Sequence, residues 1–144
     1  MTRVLSLALA AAFLAIAVPA EAADSVPVRA RVMKGARGGA PRFDDRLADL
    51  KGQLSRLAYV RWDQVSENRL QMRQGRTEFV DLPGGDVIAL TIMEVRGPTV
   101  TFEVGITQRN TQSRLTIEKG QRIVHQVTGE RDGAAYFIAV MPWP

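Results

Sequence analysis

The chain has 144 residues, a length that suits one domain with a buried core of its own. It contains no cysteine, which excludes disulfide bonds, thiolate metal sites and cysteine nucleophiles. Its formal net charge of +4 is mild, Arg carries nearly all of the positive charge, and basic residues are scattered among acidic ones, so the composition does not predict a nucleic-acid-binding surface.

Residues 1–22 have the three parts of a secretory signal peptide. Residues 1–3 are a short charged start, residues 4–18 an apolar run, and residues 20–22 (Ala-Glu-Ala) an A-x-A cleavage site. The apolar run is shorter than the roughly 20 residues that a bilayer-spanning helix needs. We therefore expect residues 1–22 to be removed on export, with no transmembrane segment left afterwards. The mature protein, of about 122 residues, is expected to be periplasmic or extracellular.

Residues 23–42 are expected to form a first strand followed by a glycine-rich loop. Apolar and polar residues alternate from Val26 to Met33, which is the pattern of a strand with one buried face. Pro27 is expected near the start of this strand or on a sheet edge, because proline cannot donate to a hydrogen-bonded ladder. The loop, residues 34–41, contains three glycines.

The hydrophobic period changes at residue 43. Leucine and phenylalanine then follow one another at intervals of four, three, four and three residues: Phe43, Leu47, Leu50, Leu54 and Leu57. This stripe predicts an amphipathic α-helix from about residue 44 to 57. Asp44 is the expected N-cap, since its carboxylate can accept hydrogen bonds from backbone N–H groups of the first turn. Residues 43–144 are expected to form this helix and an antiparallel β-domain, as a single domain with residues 23–42.

From Tyr59 onward, strand patterns recur every 10 to 13 residues and are joined by glycine-containing turns. The expected strands span residues 59–64, 70–72, 77–82, 86–95, 99–107, 114–118, 122–128 and 134–141. The last of them is apolar on both faces and is expected to be central in its sheet. The pattern predicts a mainly β protein: an antiparallel, meander-like β-sandwich or open barrel with one amphipathic α-helix packed on it.

Few catalytic chemistries are compatible with these residues. His125 is the single histidine, which excludes a zinc site built from two or three imidazoles. No serine lies in a nucleophile elbow, and the two glycine clusters lack the lysine of a phosphate-binding loop. We expect no catalytic residue, no metal and no cofactor, and we expect His125 to be a strand residue with a satisfied hydrogen bond.

Three aromatic residues are the candidate contacts for a partner or ligand. Tyr59 and Trp62 have opposite strand parity, so one of the two is expected to face outward. Trp143 lies between two prolines near the C-terminus, in a stiff tail. We expect Trp143 to fold back and cap the core, and the alternative is that it anchors a partner.

The stretch from Phe43 to Met141 resembles a group of small exported β-domain proteins of Gram-negative bacteria, of the deltaproteobacterial type. The shared features are the leader, an Asp-capped Leu-rich helix, a Tyr-containing strand, a closing apolar strand and, most distinctive, the Leu-Pro-Gly-Gly hairpin of residues 82–85. The resemblance implies a fold and an exported location. It carries over no activity and no site residue.

Three functions remain open from the sequence. The first is a non-enzymatic exported β-domain that binds another envelope or secreted protein, as an accessory subunit of a larger assembly, through strand addition at a sheet edge. The second is a module that binds cell-wall or extracellular polysaccharide through Tyr59, Trp62 or Trp143. The third is a small hydrolase that uses a pair of carboxylates.

Overall fold

The structure is a computed structural model that describes residues 25–144. The expected signal peptide, residues 1–22, lies outside the described residues. The strands are β1 (Ser25–Ala36), β2 (Arg42–Phe43), β3 (Arg61–Arg73), β4 (Thr77–Asp81), β5 (Val87–Arg96), β6 (Thr99–Ile106), β7 (Thr111–Glu118), β8 (Ile123–Gln126) and β9 (Ala134–Pro142). A 3₁₀ helix (Asp45–Leu50) continues into the short α-helix α1 (Lys51–Leu54), and a second 3₁₀ turn spans Thr107–Arg109.

These strands form two sheets. Sheet A has the order β2-β3-β1-β9-β8, and sheet B has the order β4-β5-β6-β7. All pairs are antiparallel except the two-residue pairing of β2 with β3. The predicted mainly β architecture is therefore confirmed, as is the central position of the last strand, since β9 lies between β1 and β8.

The main core fills the space between the two sheets. Its members are the inward-facing residues of the strands, which are every second residue along each strand, as the period-two pattern predicts. Fully buried examples are Val28, Ile88, Phe102 and Ile138. Because side chains alternate across each strand, the residues between them face outward and form the two outer faces of the sandwich.

The helical segment covers part of the outer face of sheet A. Leu47, Leu50 and Leu54 are completely buried there, against a second cluster that contains Trp62 and Phe137. Asp44 is the N-cap, as predicted, and its carboxylate accepts from the Arg46 backbone N–H at 3.0 Å. The predicted α-helix over residues 44–57 is wrong in type and length. Helical structure ends at Leu54, most of it is 3₁₀, and Leu57 is exposed.

Two predicted strands, residues 59–64 and 70–72, are one continuous strand. β3 runs for 13 residues and pairs with β1 along its whole length, with a bulge opposite Val32 and Met33. The polar stretch between the two apolar parts of β3 gives no strand pattern of its own. Long-range pairing with β1 supplies the hydrogen bonds that make it a strand. Within residues 25–144, no helix is long and apolar enough to cross a membrane.

Candidate functional site

Two of the three predicted aromatic contacts lie in the core. Trp62 is 2% exposed and Tyr59 is 9% exposed, and both rings make edge-to-face contacts with Phe137, with centroids 5.0 and 5.6 Å away. Strand parity fails as a guide because Tyr59 precedes the first residue of β3 and so is free of its alternation. Buried to this degree, neither ring has a face to offer a partner or a sugar.

The third aromatic residue, Trp143, packs against the core between the sheets. It is half-buried, and its backbone N–H donates to the Pro27 carbonyl at 2.8 Å. Its φ of +48° is a left-handed conformation that non-glycine residues rarely adopt. These contacts hold Trp143 against the core between the sheets, which is the position expected of a residue that caps the core. One side of its ring is thereby kept from solvent.

The edges of the two sheets are the places where main-chain groups lack partners. In sheet A, the edge of β3 is covered at Gln64, whose backbone N–H donates to Asp44 at 2.9 Å and whose carbonyl accepts from Arg46 at 3.2 Å. Beyond Gln64, β3 carries Glu67, Arg69 and Arg73, and charged side chains disfavour pairing at an edge. The opposite edge strand, β8, has four residues, and so short a strand offers little edge for pairing.

In sheet B, the edge strand β7 offers a regular row of outward main-chain groups. The Lys119 backbone N–H donates to the Pro98 carbonyl at 2.7 Å, which fixes the phase of the β6–β7 ladder. Because bonded and non-bonded pairs alternate in an antiparallel ladder, the N–H and C=O groups of Gln112, Arg114 and Thr116 point away from β6. The same phase directs the Glu118 N–H outward, where it donates to the Gln121 side chain at 3.1 Å.

A groove of about 300 Å³ adjoins this edge, between β7 of sheet B and β8 of sheet A. Val104 and Ile106 lie at its base, Thr111 and Ser113 line one side, and residues 125–129 line the other. Val104 and Ile106 belong to the buried core, so the groove reaches the apolar interior of the sandwich. At this side the two sheets are not closed over one another.

His125 is the titratable group of the groove. It pairs with Ile138, a core residue, and therefore faces inward between the sheets. Burial lowers the pKa of its imidazole below the ordinary value, which favours the neutral ring at neutral pH. The strand position is as predicted, but the expected hydrogen bond is absent: among residues 25–144 the ring has no hydrogen-bond partner.

The groove brings Ser113 and His125 together, which the sequence did not predict. Strands β7 and β8 belong to different sheets, and no local pattern reveals which strands face one another across a sandwich. Serine catalysis requires a base hydrogen-bonded to the hydroxyl and a third group that orients the base. Ser113 and His125 share no hydrogen bond, and among residues 25–144 no carboxylate lines the groove.

A second cavity, of about 330 Å³, lies at the adjacent end of the sandwich and shares Thr128 and Gly129 with the groove. Its charged lining includes Lys34, Arg131 and the ion pair of Arg109 with Asp86, whose atoms are 2.9 Å apart. The groove is thus apolar at its base, and the cavity that adjoins it is mixed in charge.

Residues 25–144 contain no group of three or more His, Asp or Glu side chains that could hold a metal ion. Comparison with protein-family models, with curated proteins and with solved structures finds no match to this chain.

Proposed function

We propose that this chain is an exported, non-catalytic β-sandwich that binds a partner protein of the envelope or extracellular space. The partner contributes an extended segment that adds to sheet B alongside β7. The observation that carries the proposal is the row of outward main-chain groups at Gln112, Arg114 and Thr116, beside a groove that opens into the core.

Two kinds of contact contribute to binding by strand addition. Main-chain hydrogen bonds to the edge give affinity, and pockets for alternate side chains give specificity. The β7 edge supports both, because the groove lies on the inward side of the added strand. Every second side chain of that strand would enter the groove between Ser113 and His125 and reach the apolar base at Ile106.

The neutral, half-buried imidazole favours a partner with apolar or uncharged polar side chains at the positions that enter the groove. Charged side chains there would lose hydration without an opposite charge in the lining to compensate. The partner segment is therefore expected to alternate apolar or hydroxylated residues with solvent-exposed ones.

Site-specific cross-linking in the native envelope tests this arrangement. A photoreactive amino acid at Gln112 or Thr116 is expected to cross-link to one partner, and the same residue placed at Asp81 on the β4 edge serves as the control. Mass spectrometry identifies the partner and the cross-linked segment. Cross-links confined to one extended segment and to the β7 positions support the proposal, whereas equal cross-linking from Asp81 contradicts it.

Proline at an outward position provides the matched test of the main-chain contact. Arg114→Pro removes an N–H that points away from β6, so the ladder inside sheet B keeps its hydrogen bonds. Arg114→Ala removes the same side chain but keeps the N–H. We expect Arg114→Pro to abolish cross-linking to the partner and Arg114→Ala to preserve it. Equal loss in both variants would show that the side chain, not the edge, makes the contact.

A further inference from the structure

The outer face of sheet B carries an aromatic ring that nothing covers within the described chain. Phe79 is 62% exposed, the most exposed of the large apolar side chains in residues 25–144. It begins a row of four residues that runs straight across the sheet, from β4 to β7: Phe79, Ala89, Gly105 and Gln112. In this row the large ring of Phe79 lies beside an alanine and a glycine, the two smallest residue types.

Ala89 and Gly105 form the floor of a trough next to Phe79. Neighbouring strands are about 4.8 Å apart, so the floor extends across two strands, roughly 10 Å. The small residue at 105 is required by the backbone, since a Cβ there would lie 2.1 Å from the Thr111 carbonyl oxygen. The trough is thus built into the β6–β7 hairpin and forms a cavity of about 310 Å³.

The walls of the trough carry hydroxyl and amide groups. Thr77 and Thr91 form one side, with their hydroxyl oxygens 2.6 Å apart, and Asn110 and Gln112 lie at the other. Within the part of the chain that the structure describes, Glu103 is the one ionisable residue of the lining, and its carboxylate lies 3.9 Å from the Arg114 guanidinium. The surface is therefore polar, close to neutral and rich in groups that both donate and accept hydrogen bonds.

We propose that this trough binds a neutral polysaccharide, a function separate from strand addition at β7. A sugar ring has apolar C–H faces and a rim of hydroxyls. The exposed face of Phe79 can stack on the C–H face of a sugar ring. The hydroxyls of Thr77 and Thr91 and the amide of Gln112 can form hydrogen bonds with the sugar hydroxyls. The open, shallow trough suits a chain of sugars better than a single enclosed monosaccharide.

Other ligands fit this surface less well. An anionic polymer needs a cation to pair with. Among residues 25–144 the lining contains neither Lys nor Arg, and the neighbouring Arg114 already faces the Glu103 carboxylate. An apolar protein surface would bury the hydroxyl and amide groups without partners, which costs free energy for each group left unsatisfied. A polyol supplies a hydrogen-bond partner for each of them.

The test measures binding of the purified mature chain to cellohexaose, chitohexaose and mannohexaose by titration calorimetry, and to the corresponding soluble polysaccharides by affinity electrophoresis. Phe79→Ala should weaken binding of the recognised glycan by at least about tenfold, and Phe79→Trp should retain it, because the stacking face is kept. Ala89→Gln, which fills the floor of the trough, should also abolish binding. Val65→Ala, an exposed apolar residue of sheet A, is the control and should change nothing.

Thermal unfolding of each variant checks that the fold is intact, and we expect it to be, because Phe79 and Ala89 lie on the outer face. Binding to none of these glycans overturns the proposal. The proposal is also overturned if Phe79→Ala binds the glycan within about twofold of the parent. Binding confined to an anionic polymer such as alginate, and lost in salt, would overturn it as well. No partner protein is present in the assay, so its failure would leave the strand-addition proposal untouched.

Discussion

Arg31 is the least expected residue of the interior. It is 1% exposed, on the outer face of sheet A beneath the 3₁₀ helix, and its guanidinium makes two hydrogen bonds of 2.8 and 2.7 Å with the Asp49 carboxylate. Arg122 approaches the same carboxylate at 3.1 Å. The alternation of residues 26–33 puts Arg31 on the face of β1 opposite the main core, where a solvent-exposed side chain is the ordinary expectation. Alternation does not show that a helix covers this face.

This ion pair should be costly to break from one side. Asp49→Asn leaves the buried guanidinium of Arg31 without its counter-charge. We expect a loss of about 2–4 kcal/mol in the free energy of unfolding, somewhat less than for a fully buried pair because the Asp49 side chain is 30% exposed. Arg31→Met combined with Asp49→Asn removes the buried guanidinium and leaves only Arg122, whose side chain is 38% exposed, without that carboxylate. The double variant should therefore be more stable than Asp49→Asn by itself. Urea denaturation of the two variants and the parent measures this. A double variant less stable than the single one would contradict the account.

Stability should also fall in acid. Hydrogen bonds from Arg31 lower the pKa of the Asp49 carboxyl, and Arg46 does the same for Asp44. Both pKa values are lower in the folded protein than in the unfolded chain. The stabilisation is therefore complete above the ordinary aspartate pKa, near 4, and is lost as the pH falls through the lower folded values. Denaturation curves from pH 7 to pH 2 test this, and Asp49→Asn should flatten the acid side. A pH-independent free energy of unfolding would refute the assignment.

At the scale of elements, the leucine stripe predicted a helix on the sheet, but not its type. Leu47, Leu50 and Leu54 are spaced three and four residues apart, and the interval of three fits the period of a 3₁₀ helix as well as one face of an α-helix. Ser55 then donates its hydroxyl to the Lys51 carbonyl at the end of α1.

Strand β6 was predicted to within one residue, because its alternation from Thr99 onward is unbroken.

The packing of this helical segment leads to a matched pair of variants. Leu54 is completely buried, and truncation of a buried leucine to alanine costs about 2–5 kcal/mol. Leu57, which is 38% exposed, lies beyond the end of α1. Leu54→Ala should therefore lower the free energy of unfolding by that amount, and Leu57→Ala by less than about 0.5 kcal/mol. Chemical denaturation measures both, and equal losses would mean that the stripe packs differently.

At the scale of the whole molecule, the candidate site depends on contacts between residues far apart in sequence. β1 pairs with β9 near the other end of the chain, as in the pair Val28 and Pro142. The groove beside β7 exists because this pairing leaves β8 at the edge of sheet A. Local sequence patterns predict the strands but not their order, so Ser113 and His125 could not be assigned to one groove from the sequence. Tyr59 and Trp62 are buried for a related reason, because they lie under the helical segment, whose cover over sheet A the strand pattern does not reveal.

Amide hydrogen exchange tests the central claim most directly, because it reads the main-chain groups of β7 one by one. In the free protein, the amides of Gln112, Arg114 and Thr116 should exchange faster than those of Ser113 and Leu115, which bond to β6. With the cross-linked partner segment bound, the three outward amides should become protected, and those of the β4 edge should not. Unchanged exchange at Gln112, Arg114 and Thr116 in the complex would contradict strand addition at β7.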